Sequence, residues 1–556
     1  MMQRYGQLKE LANCRLLSAS ISTVHQLMAS GQLSPSDVWS KCMLRAVQTK
    51  PLNAFVTLTT DNDIGRQSAY SADARYTSGQ PLGRLDGIPI AVKDNICTKN
   101  MLTTCAAKML ANYRPPFDAT VVRRLVDTSG ALMLGKTNMD EFAMGSGCVD
   151  GVFGPTVNPW KSRLPFKVCD KLTNEWSEFN GLPPPTDDWF ISGGSSGGSA
   201  VAVATGSVFA ALSSDTGGST RNPAARVGIV GYKPTYGLVS RFGLIPLTHS
   251  LDVIGIMARY VDDVAIILAA IAGHDSLDST TVDKKIDNTV VNDLDLSTLT
   301  IGIPDEYQCT GMSDEVVDTW RSVADRLANM GARVKSVSLP HTKYSISCYS
   351  VLNCCEVASN FACYDGIEFG YRSVAAADDN NSSGGHQTVE EQYSKTRHEA
   401  FSDTVKGRIF AGNYFLLREN YENYFNRALK VRRLIAEDFD RVFSKQNVDL
   451  LLTPVTLTDA PLYSQWIQKD NRQQVSIEDY CTQPVNMVGL PAISIPCRLS
   501  SKSGLPLSLQ LIGRRFDDYF LLSVAKQLEQ LFNFPLLVYD DDDDNDNNHQ
   551  TKDVIS

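Results

Sequence analysis

The amino-acid sequence predicts an α/β protein built on a largely parallel sheet. Helix-like and strand-like segments alternate along the chain, which is typical of strands joined by covering helices. The composition is that of a globular protein, with 43% hydrophobic and 21% charged residues among 556, and this excludes a chain that is disordered throughout. No apolar run approaches the roughly 18–20 residues that a membrane span requires, so an integral membrane protein is not expected.

The first clear helix–strand pair begins near Asp118. This residue is expected to cap a helix whose apolar positions start at Val121 and which ends at Gly130. A short buried strand is then predicted over Ala131–Leu134.

A second β-α-β unit is predicted further along the chain. A strand over Leu299–Ile303 is followed by a helix that Ser313 caps and Gly331 ends. The alternating segment Val334–Leu339 is the next predicted strand, and Pro340 ends it. Such an order predicts parallel pairing of the two strands.

One large domain is predicted over residues 18–538, because no linker or internal repeat divides the chain. Polar segments at about 161–188 and 375–390 are expected to be surface insertions, since such compositions cannot bury a core. Residues 539–556 are expected to be an acidic disordered tail for the same reason. Residues 1–17 are an N-terminal extension or a possible transit segment, because they contain basic residues and little acid.

Charge and cysteine content limit the function classes. Of the net charge of −10, residues 540–556 contribute −6, so the rest of the chain carries only −4. This argues against a body adapted to bind nucleic-acid phosphates. The 13 cysteines are an odd number and include no C-x-x-C pair, so reduced, mostly buried thiols are predicted rather than disulfides or a zinc ribbon.

Two Gly/Ser clusters within residues 191–219 are the strongest chemical signal. Such tracts are usually flexible linkers, but each cluster is joined directly to an apolar segment, where glycines more often allow close backbone approach. The patterns of a phosphate loop and of a dinucleotide loop are both absent. Residues 193–197 do match the G-x-S-x-G turn of serine hydrolases, yet no downstream histidine stands in a suggestive setting.

Lys93 is the candidate base for a serine hydrolase without histidine. It follows the apolar run Ile88–Val92, and burial would lower the pKa of its amine by disfavouring the charged form. A neutral amine can accept a proton near pH 7. The alternative, from position alone, is a lysine whose charged end reaches solvent from a strand end.

Four motifs in order resemble those of the amidase signature family. They are Pro-Leu-Gly-Arg-Leu-Asp-Gly-Ile-Pro at 81–89, Gly-Gly-Ser-Ser-Gly-Gly-Ser at 193–199, the Asp-Thr-Gly-Gly-Ser run within 214–224, and Gly-Tyr-Lys-Pro-Thr-Tyr-Gly-Leu-Val-Ser-Arg at 231–241. The resemblance extends from about residue 18 to residue 534. Segments 135–146 and 153–160 are similar to those of the A subunits of tRNA-dependent amidotransferases, a branch of the family. Residues 161–188 depart from the family, which has only a few residues at this place.

The resemblance implies the amidase signature fold, with a large mixed, mostly parallel central sheet covered by helices on both faces. It also implies that Ser219 is the nucleophile, Ser195 the bridging serine after a cis Gly194–Ser195 peptide, and Lys93 the base, with an acyl-ester intermediate. The implied oxyanion hole is made of the backbone amides of Thr216, Gly217 and Gly218.

By the same resemblance the substrate is glutamine. Asp479 is implied to bind its α-amino group and Arg408 its α-carboxylate, with Tyr349 as a further residue of the pocket. Taken singly, a surface ion pair or a core phenol explains each of these residues equally well.

The resemblance implies that the released ammonia converts misacylated Glu-tRNA(Gln) to Gln-tRNA(Gln) in translation. The B and C subunits of the amidotransferase would complete a heterotrimer, and the tRNA would be bound mainly through the partner subunit. The resemblance implies no cofactor on this chain and implies ATP and Mg²⁺ on the partner subunit; the absence of a P-loop from this chain is consistent with that expectation. The expected location is the mitochondrial matrix, with no membrane contact.

Two other function classes fit parts of the sequence. A stand-alone amidase acting on aryl or fatty amides would share the serine–lysine chemistry but have an apolar pocket, leaving Arg408 and Asp479 without a role. A non-enzymatic scaffold protein would have lost that chemistry, and the presence of Lys93, Ser195 and Ser219 argues against it.

Overall fold

The computed structural model describes residues 16–59, 64–171, 176–177, 187–284, 287–374 and 388–540. The strands are β1 (Phe55–Leu58), β2 (Pro89–Lys93), β3 (Leu132–Thr137), β4 (Phe166–Cys169), β5 (Trp176–Ser177), β6 (Ala210–Asp215), β7 (Val230–Lys233), β8 (Val253–Ala258), β9 (Thr300–Pro304), β10 (Arg333–Val337), β11 (Leu450–Pro454), β12 (Ala492–Leu499), β13 (Pro506–Ile512) and β14 (Leu536–Tyr539).

The α-helices are α1 (Ile21–Ala29), α2 (Pro35–Gln48), α3 (Ile64–Thr77), α4 (Thr120–Arg123), α5 (Gly197–Ala204), α6 (Arg221–Val227), α7 (Val261–Ile271), α8 (Asp314–Asn329), α9 (Ser345–Asn360), α10 (Val389–Ala400), α11 (Asp403–Leu416), α12 (Arg427–Asp440), α13 (Tyr463–Trp466), α14 (Asn471–Glu478), α15 (Gln483–Val488) and α16 (Asp518–Phe532).

An 11-stranded sheet organises these elements, in the order β1-β3-β2-β6-β8-β7-β12-β13-β11-β9-β10. Parallel pairing joins β3, β2 and β6 in one block and β11, β9 and β10 in another. The six other pairings of this sheet, within the described residues, are antiparallel. The predicted parallel pairing therefore holds within the two blocks. Five of the antiparallel pairings occupy the centre, and the sixth joins the edge strand β1 to β3. A short turn can reverse the chain in such a pairing, as it does between β12 and β13.

Both faces of the sheet are covered. Every residue of β2, β6, β7, β8, β11 and β13 is buried, and successive residues of a strand point to opposite faces. Helices must therefore lie on both sides; α5 packs on β2 and β6, and α16 packs on β12. The predicted α/β class, with a large mixed sheet between helices, is confirmed.

The two predicted β-α-β units are present with small shifts at their ends. Strands β3, β9 and β10 occupy the predicted places, and Ser313 caps α8 by accepting a hydrogen bond from Val316 N at 3.3 Å. The predicted cap at Asp118 is wrong. Its carboxylate accepts a hydrogen bond from Lys99 N at 2.8 Å in a neighbouring loop, and α4 begins at Thr120 without a side-chain cap.

The segment predicted as a surface insertion at 161–188 begins as part of the packed protein. Strand β4 pairs with β14 and with β5 in a separate three-stranded sheet. Phe166, Val168 and Cys169 are buried. The few apolar residues at the start of this segment therefore decide its packing, although its average composition is polar.

The predicted boundary of the acidic tail also shifts. Tyr539 is the last residue of β14 and is buried, and Asp540 N donates a hydrogen bond to Pro165 O at 2.7 Å. The predictions for the N-terminal extension, the second insertion and the tail fall mainly on residues 1–15, 375–387 and 541–556, which lie outside the described residues.

Twelve of the cysteines lie in the described residues, and nine of these twelve are buried, in keeping with the prediction of mostly buried thiols. Among the same residues, no helix is long and apolar enough to cross a membrane.

The carboxyl ends of β2 and β6 meet at one edge of the sheet. These strands are parallel neighbours, with Val92 opposite Leu212. Lys93 ends β2, and Ser214 is the next-to-last residue of β6. The register therefore brings Lys93 and Ser214 side by side, and the chain that follows β6 forms the next part of the site.

Candidate active site

Lys93 lies in the interior at the end of β2. Its side chain is fully buried, and its Nζ donates hydrogen bonds to Ser195 Oγ at 2.8 Å and to Ser214 Oγ at 2.9 Å. Burial lowers the pKa of the amine to about 8, although Asp140 and Asp215 oppose this effect. A neutral amine is therefore accessible near physiological pH. The alternative of a lysine that reaches solvent does not hold.

Ser195 lies in the turn that precedes α5 and is fully buried. The Gly194–Ser195 peptide is cis. Asp140 N donates a hydrogen bond to Ser195 O at 3.3 Å. A side chain at position 194 would collide with the Asp140 carboxylate, so the close approach requires glycine there. Ser195 is thus held at its hydroxyl and at its carbonyl.

A buried ion pair shapes the turn between β6 and α6. Arg221 donates hydrogen bonds to Asp215 from Nη2 at 2.9 Å and from Nε at 3.1 Å. Burial alone would raise the pKa of the Asp215 carboxyl, but Arg221 holds it at about 2. Thr220 N also donates to this carboxylate, at 3.1 Å. These bonds close the turn that contains residues 216–219.

Arg221 also ties this turn to the C-terminal part of the chain. Its Nη1 donates to Gln510 Oε1 at 2.6 Å and to Thr482 O at 3.0 Å. Its Nη2 donates to Asn486 Oδ1 at 2.5 Å. The turn is therefore fixed by residues that lie more than 250 positions away along the chain.

Thr216, Gly217 and Gly218 form the middle of the turn. Thr216 Oγ1 donates to Asp252 Oδ1 at 2.6 Å, and Gly217 O accepts a hydrogen bond from Thr482 Oγ1 at 2.6 Å. No backbone hydrogen bond outside the helices and strands of the described residues uses the N–H of Gly217 or Gly218. Both groups are available to an incoming oxygen.

Ser219 immediately precedes Thr220, the N-cap residue of α6. Its exposed fraction is 8%, whereas Lys93 and Ser195 are fully buried. Solvent accessibility thus increases from Lys93 and Ser195 to Ser219. A serine that attacks a ligand must be accessible in this way.

Tyr349 and Asp479 face Gly217. A Cβ at Gly217 would lie 2.8 Å from the Tyr349 hydroxyl and 2.9 Å from Asp479 Oδ2, so only glycine fits. Asn222 Nδ2 donates to Asp479 Oδ1 at 2.8 Å. Burial raises the pKa of the Asp479 carboxyl to about 8, and the nearby Asp215 adds to the rise.

Arg408, on α11, supplies a cation near this carboxyl. Its guanidinium donates hydrogen bonds to Asn353 Oδ1 at 2.9 Å, Asn471 Oδ1 at 3.2 Å and Met144 O at 3.3 Å. Arg408 is close enough to Asp479 to oppose the rise in that carboxyl's pKa. The structure therefore brings the three predicted pocket residues together with the Gly217 turn.

Sequence reasoning does not identify two polar partners of Lys93. Ser214 Oγ accepts hydrogen bonds from Lys93 Nζ and from Asn95 Nδ2, the latter at 3.0 Å. Asn95 lies in the turn that follows β2, so the alternation of side chains along a strand does not indicate its contact. Ser214 has no sequence signal either, because its place beside Lys93 depends on the pairing of β2 with β6.

This arrangement can perform acyl transfer on an amide. It combines a buried amine bonded to the Ser195 hydroxyl, a more accessible serine and backbone N–H donors beside that serine. Within the parts of the chain that the structure describes, no group of three or more His, Cys, Asp or Glu residues is placed to hold a metal ion.

Comparison with known proteins agrees with this chemistry. The Amidase family matches residues 38–165 and 181–522, and the gap between the two matches contains β4 and β5. The A subunit of a mitochondrial glutamyl-tRNA(Gln) amidotransferase from Ixodes scapularis is 53% identical over 525 residues, covering 94% of this chain and 97% of the relative. Its Homo sapiens counterpart is 51% identical over 524 residues, covering 94% and 95%.

Solved structures agree as well. The A subunit of the glutamyl-tRNA(Gln) amidotransferase of Thermotoga maritima is 33% identical, with a TM-score of 0.69 that covers 94% of this chain and 98% of the other. A peptide amidase in complex with the competitive inhibitor chymostatin is 24% identical, with a TM-score of 0.72 over 92% of this chain and 97% of the other. The similarity to the peptide amidase supports the fold assignment only.

Proposed function

Because the chain belongs to the amidase family, we propose that it is the glutamine-hydrolysing A subunit of a mitochondrial glutamyl-tRNA(Gln) amidotransferase. The observation that supports this most is the pocket at Gly217. Lys93 is bonded to Ser195 and to Ser214, which lies just before this turn. Asp479 and Tyr349 face Gly217, and the cation of Arg408 lies near Asp479. An amide with an amino group and a carboxylate fits such a pocket better than an aryl or fatty amide does.

The proposed reaction begins with proton transfer along the relay. Neutral Lys93 accepts the hydroxyl proton of Ser195 while Ser195 accepts that of Ser219. The Ser219 oxygen attacks the carboxamide carbon of glutamine, and the N–H groups of Thr216, Gly217 and Gly218 bind the oxyanion that forms.

Collapse of this intermediate releases ammonia. The Lys93 ammonium returns its proton through Ser195 to the leaving amine, the C–N bond breaks, and a glutamyl ester remains on Ser219. Water then attacks the ester as the same relay removes its proton. Glutamate leaves, and Ser219 regains its hydroxyl.

The pocket residues orient glutamine in this proposal. Arg408 binds the α-carboxylate and Asp479 binds the α-ammonium group, while Tyr349 lies beside the side chain. A bound ammonium group would lower the pKa of the Asp479 carboxyl again, because an opposite charge favours the ionised form.

The ammonia is then used by a partner in this proposal. The B protein of the complex binds ATP, Mg²⁺ and Glu-tRNA(Gln), and the C protein completes the heterotrimer. This chain binds no cofactor of its own. The assembly works in the mitochondrial matrix, which agrees with the mitochondrial relatives.

Ammonia release from glutamine tests the proposal. The purified chain is assayed with its B and C partners, with and without ATP and Glu-tRNA(Gln). We expect charged tRNA to stimulate release, and Ser219→Ala to reduce the rate by about 10⁴-fold or more, as loss of a serine nucleophile does in other hydrolases. Ser71→Ala changes an exposed serine on α3 and is the matched control.

A stand-alone amidase would behave differently. It would release no ammonia from glutamine in any mixture but would hydrolyse a simple aryl or fatty amide in a Ser219-dependent way. That result would overturn the amidotransferase proposal and keep the amidase chemistry. A fluorophosphonate probe that fails to label Ser219 would overturn both.

A further inference from the structure

Arg408 is held only by neutral groups among the described residues. Its three hydrogen-bond acceptors are the side-chain carbonyls of Asn353 and Asn471 and the main-chain carbonyl of Met144. A guanidinium has five N–H donors, so donors remain for a ligand. No carboxylate is directly bonded to Arg408 in these contacts, although Asp150 and Asp479 lie near enough to interact electrostatically with it.

Asn353 fixes Arg408 from the helix that also contains Tyr349. The two residues are four apart on α9, so they lie on the same face of the helix. Asn353 Nδ2 donates to Thr248 Oγ1 at 2.8 Å, which sets the orientation of the amide and turns its carbonyl oxygen toward Arg408.

Asn471 fixes Arg408 from the helix that leads to Asp479. It is the first residue of α14, and Asp479 is the C-cap of the same helix. Asn471 Nδ2 donates to Met144 O at 2.8 Å and to Asp150 Oδ2 at 3.3 Å. The side-chain amide of Asn471 therefore lies between the guanidinium of Arg408 and the carboxylate of Asp150, and it is bonded to both.

We propose that Asn353 and Asn471 are positioning residues that determine the specificity of this pocket. They orient the guanidinium of Arg408 without neutralising it, so the pocket selects amides that bear a carboxylate. An aspartate at either position would have almost the same shape but would form an ion pair with Arg408 and repel a substrate carboxylate. The proposal rests on the proposed function in taking Arg408 as the group that binds the substrate carboxylate.

The isosteric variants Asn353→Asp and Asn471→Asp test the proposal with three amides. Glutamine has a carboxylate and an amino group, glutaramate has only the carboxylate, and 4-aminobutanamide has only the amino group. We expect each variant to raise KM about tenfold or more for glutamine and glutaramate, with kcat changed less than about threefold, since one lost ion pair is worth about a factor of ten or more. For 4-aminobutanamide, kcat/KM should stay within about twofold.

A merely structural role would give another pattern, because a disturbed pocket would lower kcat/KM for all three amides alike. That result would overturn the proposal, as would an unchanged KM for glutamine in both variants. Asn420→Asp is the matched control, since Asn420 lies in the segment after α11 and its side chain donates to Tyr414 O in an exposed hydrogen bond rather than to a pocket residue. Melting temperatures identify a variant that does not fold. In that case the other variant decides. Asn353→Asp is the cleaner of the two, because an aspartate at position 471 would face the Asp150 carboxylate, to which Asn471 Nδ2 donates at 3.3 Å.

The two proposals can fail separately. If the unsubstituted chain hydrolyses glutaramate but not glutamine, even with its partners, the proposed function fails. The asparagine variants still test the inference through the ratio of kcat/KM for glutaramate to that for 4-aminobutanamide. Binding of glutamine to the Ser219→Ala protein, measured by calorimetry with and without Asn353→Asp, adds a readout that needs no turnover. A Kd that does not rise with Asn353→Asp would overturn the inference.

Discussion

At the scale of single residues, the site depends on one amine kept out of water. Lys93 is fully buried, and its hydrogen bonds go to the hydroxyls of Ser195 and Ser214. Burial without a directly bonded carboxylate makes the uncharged form accessible near neutral pH. A histidine is not needed for base catalysis at such a site.

The pH dependence of acylation follows from the pKa of Lys93. The amine must be neutral to accept a proton, and its pKa is lowered to about 8. We expect the single-turnover rate of ammonia release to fall about tenfold per pH unit below 8 and to level off above about 9, since the neutral fraction sets the rate. The rate is measured with glutamine between pH 6 and 10. A flat profile from pH 6.5 to 8.5 would contradict this assignment, and Lys93→Arg should be inactive throughout, because a guanidinium stays charged.

The same scale shows what the sequence can and cannot predict about the site. The motifs identify Lys93, Ser195 and Ser219 because each lies in a run of characteristic neighbours. Ser214 and Asn95 escape such reasoning, since they act through a hydrogen bond that exists only when β2 and β6 are paired. The roles assigned to the pocket residues stay predictions until they are tested by substitution.

At the scale of elements, the buried pair of Asp215 and Arg221 joins the end of β6 to the start of α6. Both side chains are fully buried, so neither can turn to water if its partner is removed. A buried pair adds little stability compared with apolar packing, but loss of one partner leaves an uncompensated charge.

Arg221→Ala is therefore expected to destabilise the protein strongly. We expect the free energy of unfolding to fall by about 3–5 kcal/mol, measured by urea denaturation at pH 7. Arg433→Ala is the matched control, because the pair of Arg433 with Glu437 on α12 is exposed and such pairs contribute only about 0.3–0.5 kcal/mol. The double change of Arg221→Ala with Asp215→Asn should recover part of the loss; equal losses in Arg221→Ala and Arg433→Ala would contradict this expectation.

Regular elements are the part of the fold that the sequence predicts well. The periodicity and cap at Ser313 locate α8 and the strands on either side of it. The cap at Asp118 is mispredicted because its carboxylate can accept a hydrogen bond either from a helix N-terminus or from a loop N–H. The loop N–H, that of Lys99, comes close only in the folded protein. The start of the first insertion is mispredicted because composition averages over a segment whose few apolar residues decide the packing.

At the scale of the whole molecule, the last described strand packs against a segment that lies far earlier in the chain. Strand β14 pairs with β4, which belongs to a segment that the family match omits. Leu537, Val538 and Tyr539 on β14 are buried. The two segments therefore protect each other's apolar side chains, a long-range pairing that neither sequence segment indicates by itself.

Two truncations measure this contribution. A chain ending at Pro535 should lose more than about 4 kcal/mol in free energy of unfolding, since burial of each large apolar side chain is worth about 1.5–3 kcal/mol. A chain ending at Asp540 keeps β14 and should match the full-length protein to within about 0.5 kcal/mol. Urea denaturation of the three chains gives the comparison, and similar stabilities for the two truncated chains would show that β14 is dispensable.

The hydrogen bonds from Arg221 to Thr482, Asn486 and Gln510 have a consequence for the chain as it is synthesised. The ribosome makes Lys93, Ser195 and Ser219 long before it reaches the residues whose acceptors fix the turn that contains Ser219. During that interval the growing chain contains these three side chains but lacks the acceptors that hold the turn in place. All three acceptors exist only once Gln510 has been made, so a product that ends before Thr482 lacks every one of them.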